Sequence, residues 1–168
     1  MRNKILIFVF TYLLALILAN LVVKHFGAEG LWFTAFFLIP FDFVSRCFFH
    51  ETWKGLDLIF KLILLTFISG LITIGINFDA VNIALGSFIG IIAAQLGAGI
   101  FYQLNIKKGY FLKVNGSDII AITLDSIFFQ LVAFSLIEWR VTLGQIIVKF
   151  LGGLMWYFIL FKWLKVIK

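Results

Sequence analysis

The chain has few of the residue types from which catalytic and metal sites are built. Charged residues make up only 13% of its 168 residues, and it contains one cysteine, Cys47, two histidines, His25 and His50, and one proline, Pro40. A single cysteine cannot form an intrachain disulfide or a multi-cysteine metal site, and two histidines are too few for a typical zinc site. Sequence motifs of hydrolases and of phosphate-binding loops are also missing. We therefore expect no enzymatic activity, no catalytic residues, no metal and no cofactor.

Apolar residues are the abundant class, with a hydrophobic content of 63% and a mean hydropathy of +1.12. A water-soluble domain could not cover so much apolar surface with polar side chains. Lipid is therefore the expected solvent, and in lipid every backbone amide must be hydrogen bonded within its own helix or within a closed barrel. The apolar runs are too long for barrel strands, so the sequence predicts an all-α, polytopic membrane protein.

Six apolar segments fill the chain and leave only short connections between them. They predict a single domain, residues 1–168, that is a compact bundle of six transmembrane helices. The first run lacks a convincing cleavage site, so we expect it to be retained as a span and not removed as a signal peptide. The second run is short and contains Pro40 and Asp42, which predicts a broken second helix. The segments are 5–23, 31–43, 56–76, 82–103, 119–137 and 141–161.

Basic residues are distributed unevenly between alternate connections, and this asymmetry predicts the orientation of the bundle. Connections rich in Lys and Arg stay in the cytoplasm, so both termini are predicted to lie on the cytoplasmic side of the membrane. The net charge of +6 is scattered between apolar runs, and we expect no nucleic-acid partner. Lys24 and Arg140 are on the outer side, and Lys149 is within the last segment. The inner side collects Arg2, Lys4, Arg46, Lys54, Lys61, Lys107, Lys108, Lys113, Lys162, Lys165 and Lys168.

Small residues recur at every fourth position of the fourth segment. Gly86, Gly90, Ala94 and Ala98 form a stripe that lets another helix approach closely, so we predict a packing face. Ser87 and Gln95, beside this stripe, are placed to border a cavity.

Asp42 and Asp125 lie within apolar runs, where a charge costs about 2.5 to 3.5 kcal/mol on insertion scales. Asp125 is the more informative of the two, because Ser126 and Gln130 nearby are four residues apart and share a helix face. Arg46 lies at a similar depth and is expected to be a partner for Asp125. Two structural alternatives remain open. In the first, Asp125 and Gln130 only form hydrogen bonds with neighbouring helices. In the second, Arg46 anchors its helix at the membrane interface.

Two further polar groups are predicted to have local roles. Asp57 and Lys61 lie one helical turn apart near a cytoplasmic end, which predicts an ion pair with the lysine directed outward. Ser117 and Asp118 are placed to cap the start of the fifth segment.

Three stretches of the sequence resemble the queuosine precursor transporter family, also called the vitamin uptake transporter-like family. Residues 39–55 (IPFDFVSRCFFHETWKG) are similar to its Pro-containing second helix, and residues 84–104 (ALGSFIGIIAAQLGAGIFYQL) are similar to its small-residue-rich fourth helix with a Tyr-Gln pair. Residues 111–134 (FLKVNGSDIIAITLDSIFFQLVAF) resemble its Asn and Ser ahead of a helix with Asp-Ser. One departure is Cys47, which stands where many relatives have Asp.

The resemblance implies a six-helix inner-membrane transporter that takes up 7-cyano- or 7-aminomethyl-7-deazaguanine for queuosine synthesis in tRNA. A deazaguanine offers N–H donors that suit a carboxylate, a carbonyl that suits an amide or Arg donor, and an aromatic face. Asp125 is the expected acceptor for the donor edge. The carbonyl donors are expected among Asn115, Gln95 and Arg46, with Phe41, Phe128 and Trp156 as aromatic walls. The resemblance also implicates Glu51, Ser117 and Ser126, and Gln130 completes the predicted polar face.

Two other functions remain open at this stage. The chain could be the substrate-binding subunit of an energy-coupling vitamin transporter, which would need separate helical and ATPase partners. In that case Ala15 and Ala19, four residues apart in the first segment, would form a docking face. Alternatively, it is a membrane interaction protein without a ligand, although the intramembrane Asp125 would then lack a purpose. A homo-oligomer is compatible with either function.

Overall fold

The computed structural model describes residues 2–53, 56–105, 107–108 and 110–163, and the side chains within them except those of residues 2–4, 47, 48, 50–52, 56, 103, 110, 111, 113, 114 and 161–163. Three of the side chains singled out above, Cys47, His50 and Glu51, therefore lie outside the described residues. The same holds for seven of the basic residues that predict the orientation, namely Arg2, Lys4, Lys54, Lys113, Lys162, Lys165 and Lys168.

The described part of the chain is helical and contains no strand, as the composition predicts. Its five long helices are α1 (Arg2–Thr52), α2 (Leu56–Ile76), α3 (Val81–Leu104), α4 (Tyr110–Phe134) and α5 (Trp139–Tyr157). A 3₁₀ turn, Phe78–Ala80, precedes α3, and a π-helical turn, Phe158–Trp163, follows α5. All five helices are long and apolar enough to cross a membrane, so the chain is a multi-pass membrane protein.

Helix α1 folds back on itself at Gly27. This residue has φ 58° and ψ −128°, the one non-helical conformation between Arg2 and Thr52, and it is a conformation that glycine adopts readily. The rings of Tyr12 and Phe49 are 5.6 Å apart, whereas a straight helix would separate them by about 55 Å. Close approach at the turn also requires glycine at position 30, where a Cβ atom would lie 2.5 Å from the Val22 carbonyl oxygen. The halves of α1, residues 2–26 and 28–52, are therefore antiparallel neighbours.

The predicted break of the second segment at Pro40 is wrong, because the second half of α1 stays helical through this residue. Proline removes one backbone donor, which leaves carbonyls of the preceding turn short of partners. Here the indole Nε1 of Trp156 donates a hydrogen bond of 2.7 Å to the Phe37 carbonyl. Gly152 has no side chain to hold α5 away, and α5 lies directly against the Phe36 carbonyl. Contacts from α5 thus compensate for the proline.

Helix α4 begins earlier than the sequence predicts. It starts at Tyr110, so Ser117 and Asp118 lie inside the helix, and their predicted role as a cap is wrong. A reason is the contact with α3. A Cβ atom at Gly116 would overlap the ring of Phe101, so the glycine that looks like a helix breaker in sequence is instead a point of close helix packing.

The predicted small-residue face of α3 is confirmed. A Cβ atom at Gly86 would lie 2.8 Å from the Ala133 Cβ, and one at Gly90 would lie 2.8 Å from Oδ1 of Asp125. Ala94 is completely buried. Glycine at these positions lets the backbone of α4 lie against α3, which is what brings Asp125 to the centre of the bundle.

Large apolar side chains cover the outside of the bundle, as expected for a surface that contacts lipid. Phe10 and Phe60 are each 67% exposed. Other exposed apolar residues include Leu6, Ile7, Phe26, Phe78, Ile100, Trp139, Leu143 and Ile147.

Two further predictions concern the surface of the bundle. Ala15 and Ala19 are buried and contact the interior of this chain, so the docking face predicted for them is wrong. The predicted ion pair of Asp57 and Lys61 is confirmed, with an N–O distance of 2.5 Å in an exposed position.

Candidate functional site

A buried ion pair joins α4 to α5 in the middle of the bundle. Nζ of Lys149 donates to Oδ2 of Asp125 at 2.8 Å and to Oγ of Ser126 at 3.0 Å. The side chains of Lys149 and Asp125 are only 4% and 5% exposed. Lys149 lies ten residues after the start of α5, and Asp125 lies nine residues before the end of α4. Each group is therefore about 14 to 15 Å along its helix, near the centre of a hydrocarbon layer about 30 Å thick.

Such a pair is costly to bury and stable only while both charges are present. The desolvation of each ion amounts to several kcal/mol, and removing one partner leaves an uncompensated charge. Since buried charges inside a membrane protein commonly mark substrate or ion pathways, the pair is the candidate functional site.

Arg46 pairs with Asp42 and not with Asp125, which corrects the expected partnership. Nε of Arg46 donates to Oδ1 of Asp42 at 3.3 Å, and a terminal guanidinium nitrogen contacts Oδ2 of the same carboxylate. The two residues are four apart on one continuous helix and thus share a face. Asp125 is within electrostatic range of Arg46 but has Lys149 as its hydrogen-bonded cation.

Lys149 was not predicted as a site residue, because its charge was considered only as a signal of membrane topology. Its position was the available signal. It lies in the middle of an apolar run, more than two helical turns from either end of α5, where a charge is as costly as at Asp125.

A cavity adjoins the ion pair and contacts four helices. The empty space between its walls, including space that is open to the outside, is about 370 Å³, but the part wide enough for water has room for only about one water molecule. A bicyclic base therefore fits only after the walls separate. The cavity is lined by Ala19, Asn20, Val23, Leu31, Thr34, Ala35 and Ile39 of α1, Ser87 and Ile91 of α3, Asp125 and Phe129 of α4, and Gln145 and Lys149 of α5.

Gln145 is the second site residue that was not predicted from the sequence. It lies one turn before Lys149 on the same face of α5, lines the cavity and is 0% exposed. Neither its amide oxygen nor its amide nitrogen has a hydrogen-bond partner in the described part of the protein. An unpaired buried polar group costs about 1 to 3 kcal/mol and requires an explanation, for which a bound ligand or water is the simplest.

One side of the cavity is bordered by a hydrogen-bonded group around Asn20. Oδ1 of Asn20 accepts a 2.5 Å hydrogen bond from Oγ of Ser87, and its Nδ2 donates to Oγ1 of Thr73 at 3.5 Å. These bonds connect the first half of α1 to α2 and α3. Thr34 donates to the carbonyl of Leu31 within its own helix.

The predicted polar residues on α3 and α4 are not all gathered at this cavity. Gln130 is buried, and its Oε1 accepts hydrogen bonds of 3.0 Å from the backbone N of Glu138 and from Oγ1 of Thr142. It therefore fixes the connection between α4 and α5. Gln95 is half-buried, and its two amide atoms are buried without a hydrogen-bond partner among the described residues, but it does not line the cavity. Asn115 is half-buried near the start of α4.

The predicted aromatic walls also lie elsewhere. Phe41 and Trp156 pack edge to face with ring centres 4.9 Å apart, beside the contact of α1 with α5 and outside the cavity lining. Phe128 is 36% exposed on the outer surface. Its neighbour Phe129 is buried and lines the cavity, so Phe129 is the aromatic side chain that a ligand there would meet. A shift of one residue turns a helix by about 100°, which apolar composition alone does not resolve.

The arrangement suits recognition of a small polar ligand more than coordination of a metal. Among the described residues, no three His, Cys, Asp or Glu side chains come together as a metal site. The cavity instead offers a carboxylate, an ammonium, an amide and hydroxyl groups within an apolar wall, and such groups orient small molecules in protein sites. Comparisons of the chain with protein-family models, with curated proteins and with solved structures found no match.

Proposed function

We propose that this chain is a carrier of the bacterial inner membrane with six spans and both termini in the cytoplasm. The fold-back of α1 at Gly27 supports six crossings, because each half of α1 is about 37 Å long and sufficient to span the hydrocarbon layer. The even number of crossings puts the two termini on one side, and the excess of Lys and Arg assigns that side to the cytoplasm.

The proposed substrates are queuosine precursors, 7-cyano- or 7-aminomethyl-7-deazaguanine, as the resemblance of residues 39–55, 84–104 and 111–134 implies. The cavity chemistry agrees with this class. Asp125 is an acceptor for the N–H donors of the base, the unpaired amide of Gln145 is a donor for its carbonyl, and Phe129 is a surface for its aromatic face. The present conformation is narrow, so substrate entry requires the helices to separate on one side, as in alternating access.

The single observation that carries the proposal is the ion pair of Asp125 and Lys149 beside the unpaired Gln145. A bundle with a purely structural role gains nothing from an amide that is buried without partners. It also gains little from a charge pair that apolar residues of similar volume often replace without loss of stability. A ligand that contacts these groups explains all three residues.

The test is restoration of queuosine in tRNA by the chain in a strain that lacks precursor synthesis and depends on uptake. Asp125→Asn removes the acceptor charge, and we expect uptake to fall by about 30-fold or more, which corresponds to about 2 kcal/mol lost at one charged hydrogen bond. Asp57→Asn is the matched control, since it removes an exposed carboxylate paired with a lysine in the same chain. Full uptake by Asp125→Asn at normal membrane abundance would contradict the proposal.

Two alternatives make different predictions in simple experiments. A substrate-binding subunit of an energy-coupling transporter would copurify with an ATPase and lose uptake when that ATPase is deleted. The burial of Ala15 and Ala19 removes the sequence feature that favoured it. A ligand-free interaction protein would show no thermal stabilisation in detergent by either deazaguanine, whereas a carrier is stabilised by any ligand that prefers the folded state.

A further inference from the structure

The ammonium group of Lys149 occupies a preformed binding position beside the cavity. Its Nζ donates hydrogen bonds to the carboxylate of Asp125 at 2.8 Å and to the hydroxyl of Ser126 at 3.0 Å, and both acceptors are almost fully buried. A primary ammonium has three N–H donors, and this position provides a charged and a neutral acceptor for two of them. Any small molecule with a primary ammonium can make the same two bonds. The unpaired amide of Gln145 lies on the adjacent turn of α5 and adds a further polar contact for it.

We infer that Lys149 is a tethered cation that occupies the ammonium subsite of the substrate and leaves it by losing one proton. The inference rests on the proposed function, because it takes this cavity to be the transport site. It narrows the substrate class to primary amines attached to a planar body with a carbonyl, and it assigns Asp125 to the substrate ammonium in place of the N–H donors of the base. Of the two precursors, the 7-aminomethyl compound carries such an ammonium and the 7-cyano compound does not.

The balance of charge in the cavity explains why a proton must leave. Among the described residues, Asp125 and Lys149 are the two charged side chains that line the cavity. Asp42 and Arg46 on α1 are within electrostatic range of Asp125 but neutralise each other, and Tyr12 lies beside Asp42. A substrate ammonium that entered while Lys149 kept its charge would leave one uncompensated positive charge in a low-dielectric site.

The exchange balances when the lysine becomes neutral. The hydrogen bond from Lys149 to Asp125 breaks, the substrate ammonium forms a new one with the same carboxylate, and Lys149 releases one proton to water as it becomes an amine. The cavity keeps one negative and one positive charge throughout. Uptake of the cation is thereby coupled to outward movement of a proton if the release occurs while the cavity faces outside.

The experiment is isothermal titration calorimetry of the purified full chain in detergent micelles with 7-aminomethyl-7-deazaguanine. Titrations in buffers of different ionisation enthalpy give the number of protons released, which we expect to be one per ligand bound. Because binding releases a proton, the apparent Kd should fall about tenfold for each unit that the pH rises, until the ligand itself begins to lose its proton. The 7-cyano compound should release no proton and bind with an affinity independent of pH.

Lys149→Arg is the decisive variant. Arginine keeps the ion pair with Asp125 but cannot lose its proton in the accessible pH range. We expect it to fold with an unchanged melting temperature and to lose affinity for the aminomethyl compound by 100-fold or more, about 2.7 kcal/mol. Lys61→Arg is the matched control, because it makes the same substitution in the exposed pair with Asp57 and should leave both properties unchanged.

Methylammonium serves as a second probe that separates this inference from the proposed function. If the two deazaguanines bind equally, without proton release and also to Lys149→Arg, the inference is overturned and the carrier function stands. If neither deazaguanine binds but methylammonium binds with release of a proton, the inference stands and the proposed substrates are wrong. If no probe binds, both proposals are overturned. The wild-type proton count decides the matter even if a variant fails to fold.

Discussion

Two buried glutamines at the contact of α4 with α5 show how the surroundings of a side chain, and not its type, determine its role. Gln130 accepts hydrogen bonds from the Glu138 backbone and the Thr142 hydroxyl, so its oxygen is fully used within the protein. Gln145 is more deeply buried than most polar residues of the chain but uses neither of its amide atoms. The first residue supports the fold, whereas the second is available to a ligand.

Gln145→Leu tests this distinction. Leucine has a similar volume and removes the unpaired amide, so we expect the unfolding free energy in detergent to rise by about 1 to 2 kcal/mol. Uptake should nevertheless fall, because the cavity loses a polar contact for the substrate. The two measurements are the thermal transition of the purified protein and restoration of queuosine by the same variant.

Gln130→Leu is the control at the matched position. It leaves the backbone N of Glu138 without its acceptor, so we expect a loss of stability of about 1 to 3 kcal/mol. A result in which Gln145→Leu destabilises the protein as much as Gln130→Leu would contradict a ligand role for Gln145.

At the scale of helices, the sequence predicts what depends on a single segment and misses what depends on two. The bounds of α2 are those predicted, since its apolar run ends at polar or flexible residues on both sides. The fold-back of α1 also lies between two apolar runs. The continuity through Pro40 and the early start of α4 depend on Trp156 and Phe101, which belong to other helices. Tertiary contacts of this kind override local helix signals.

The same division applies to the site. The intramembrane position of Asp125 follows from its own segment, and the structure buries it. Its pairing with Lys149 depends on how α4 and α5 are aligned, for which the sequence has no local signal. The neighbours Phe128 and Phe129 differ in exposure for the same reason, because the rotation of α4 is set by the glycines of α3.

The contact of α5 with the proline turn of α1 is a prediction at this scale. A Cβ atom at Gly152 would overlap the Phe36 carbonyl and lie 2.7 Å from Cγ of Pro40, whereas one at Gly153 would meet nothing within 4 Å. We expect Gly152→Ala to lower the unfolding free energy by about 1 to 3 kcal/mol, since the backbone of α1 must shift. Gly153→Ala should be neutral or stabilise the helix by up to about 1 kcal/mol.

Unfolding of both variants in mixed detergent micelles measures the difference. Equal stabilities would show that α5 does not depend on close contact with the proline turn. The same comparison in the uptake assay shows whether this contact also sets the position of Lys149, which lies on α5 one turn before Gly152.

For the whole molecule, the number of crossings depends on one glycine. With the fold-back at Gly27, the turn near Glu29 and the turn near Asp79 are on one side of the bundle, and the connection containing Lys108 is on the other. If α1 crossed the membrane once, the chain would have five spans, its termini would lie on opposite sides, and the lysines near residue 108 would lie opposite the amino terminus instead of on its side.

Cysteine labelling in intact cells distinguishes the two arrangements. In a Cys47→Ala background, we expect a membrane-impermeant maleimide to label Glu29→Cys and Asp79→Cys, both of which replace exposed residues, from outside. Lys108→Cys, also at an exposed position, should be labelled only after the membrane is permeabilised. Labelling of Lys108→Cys but not of Asp79→Cys in intact cells would contradict the proposed orientation. An unreactive Glu29→Cys in both preparations would mean that the turn at Gly27 is within the lipid, because a residue beside an outer turn must be reachable from water.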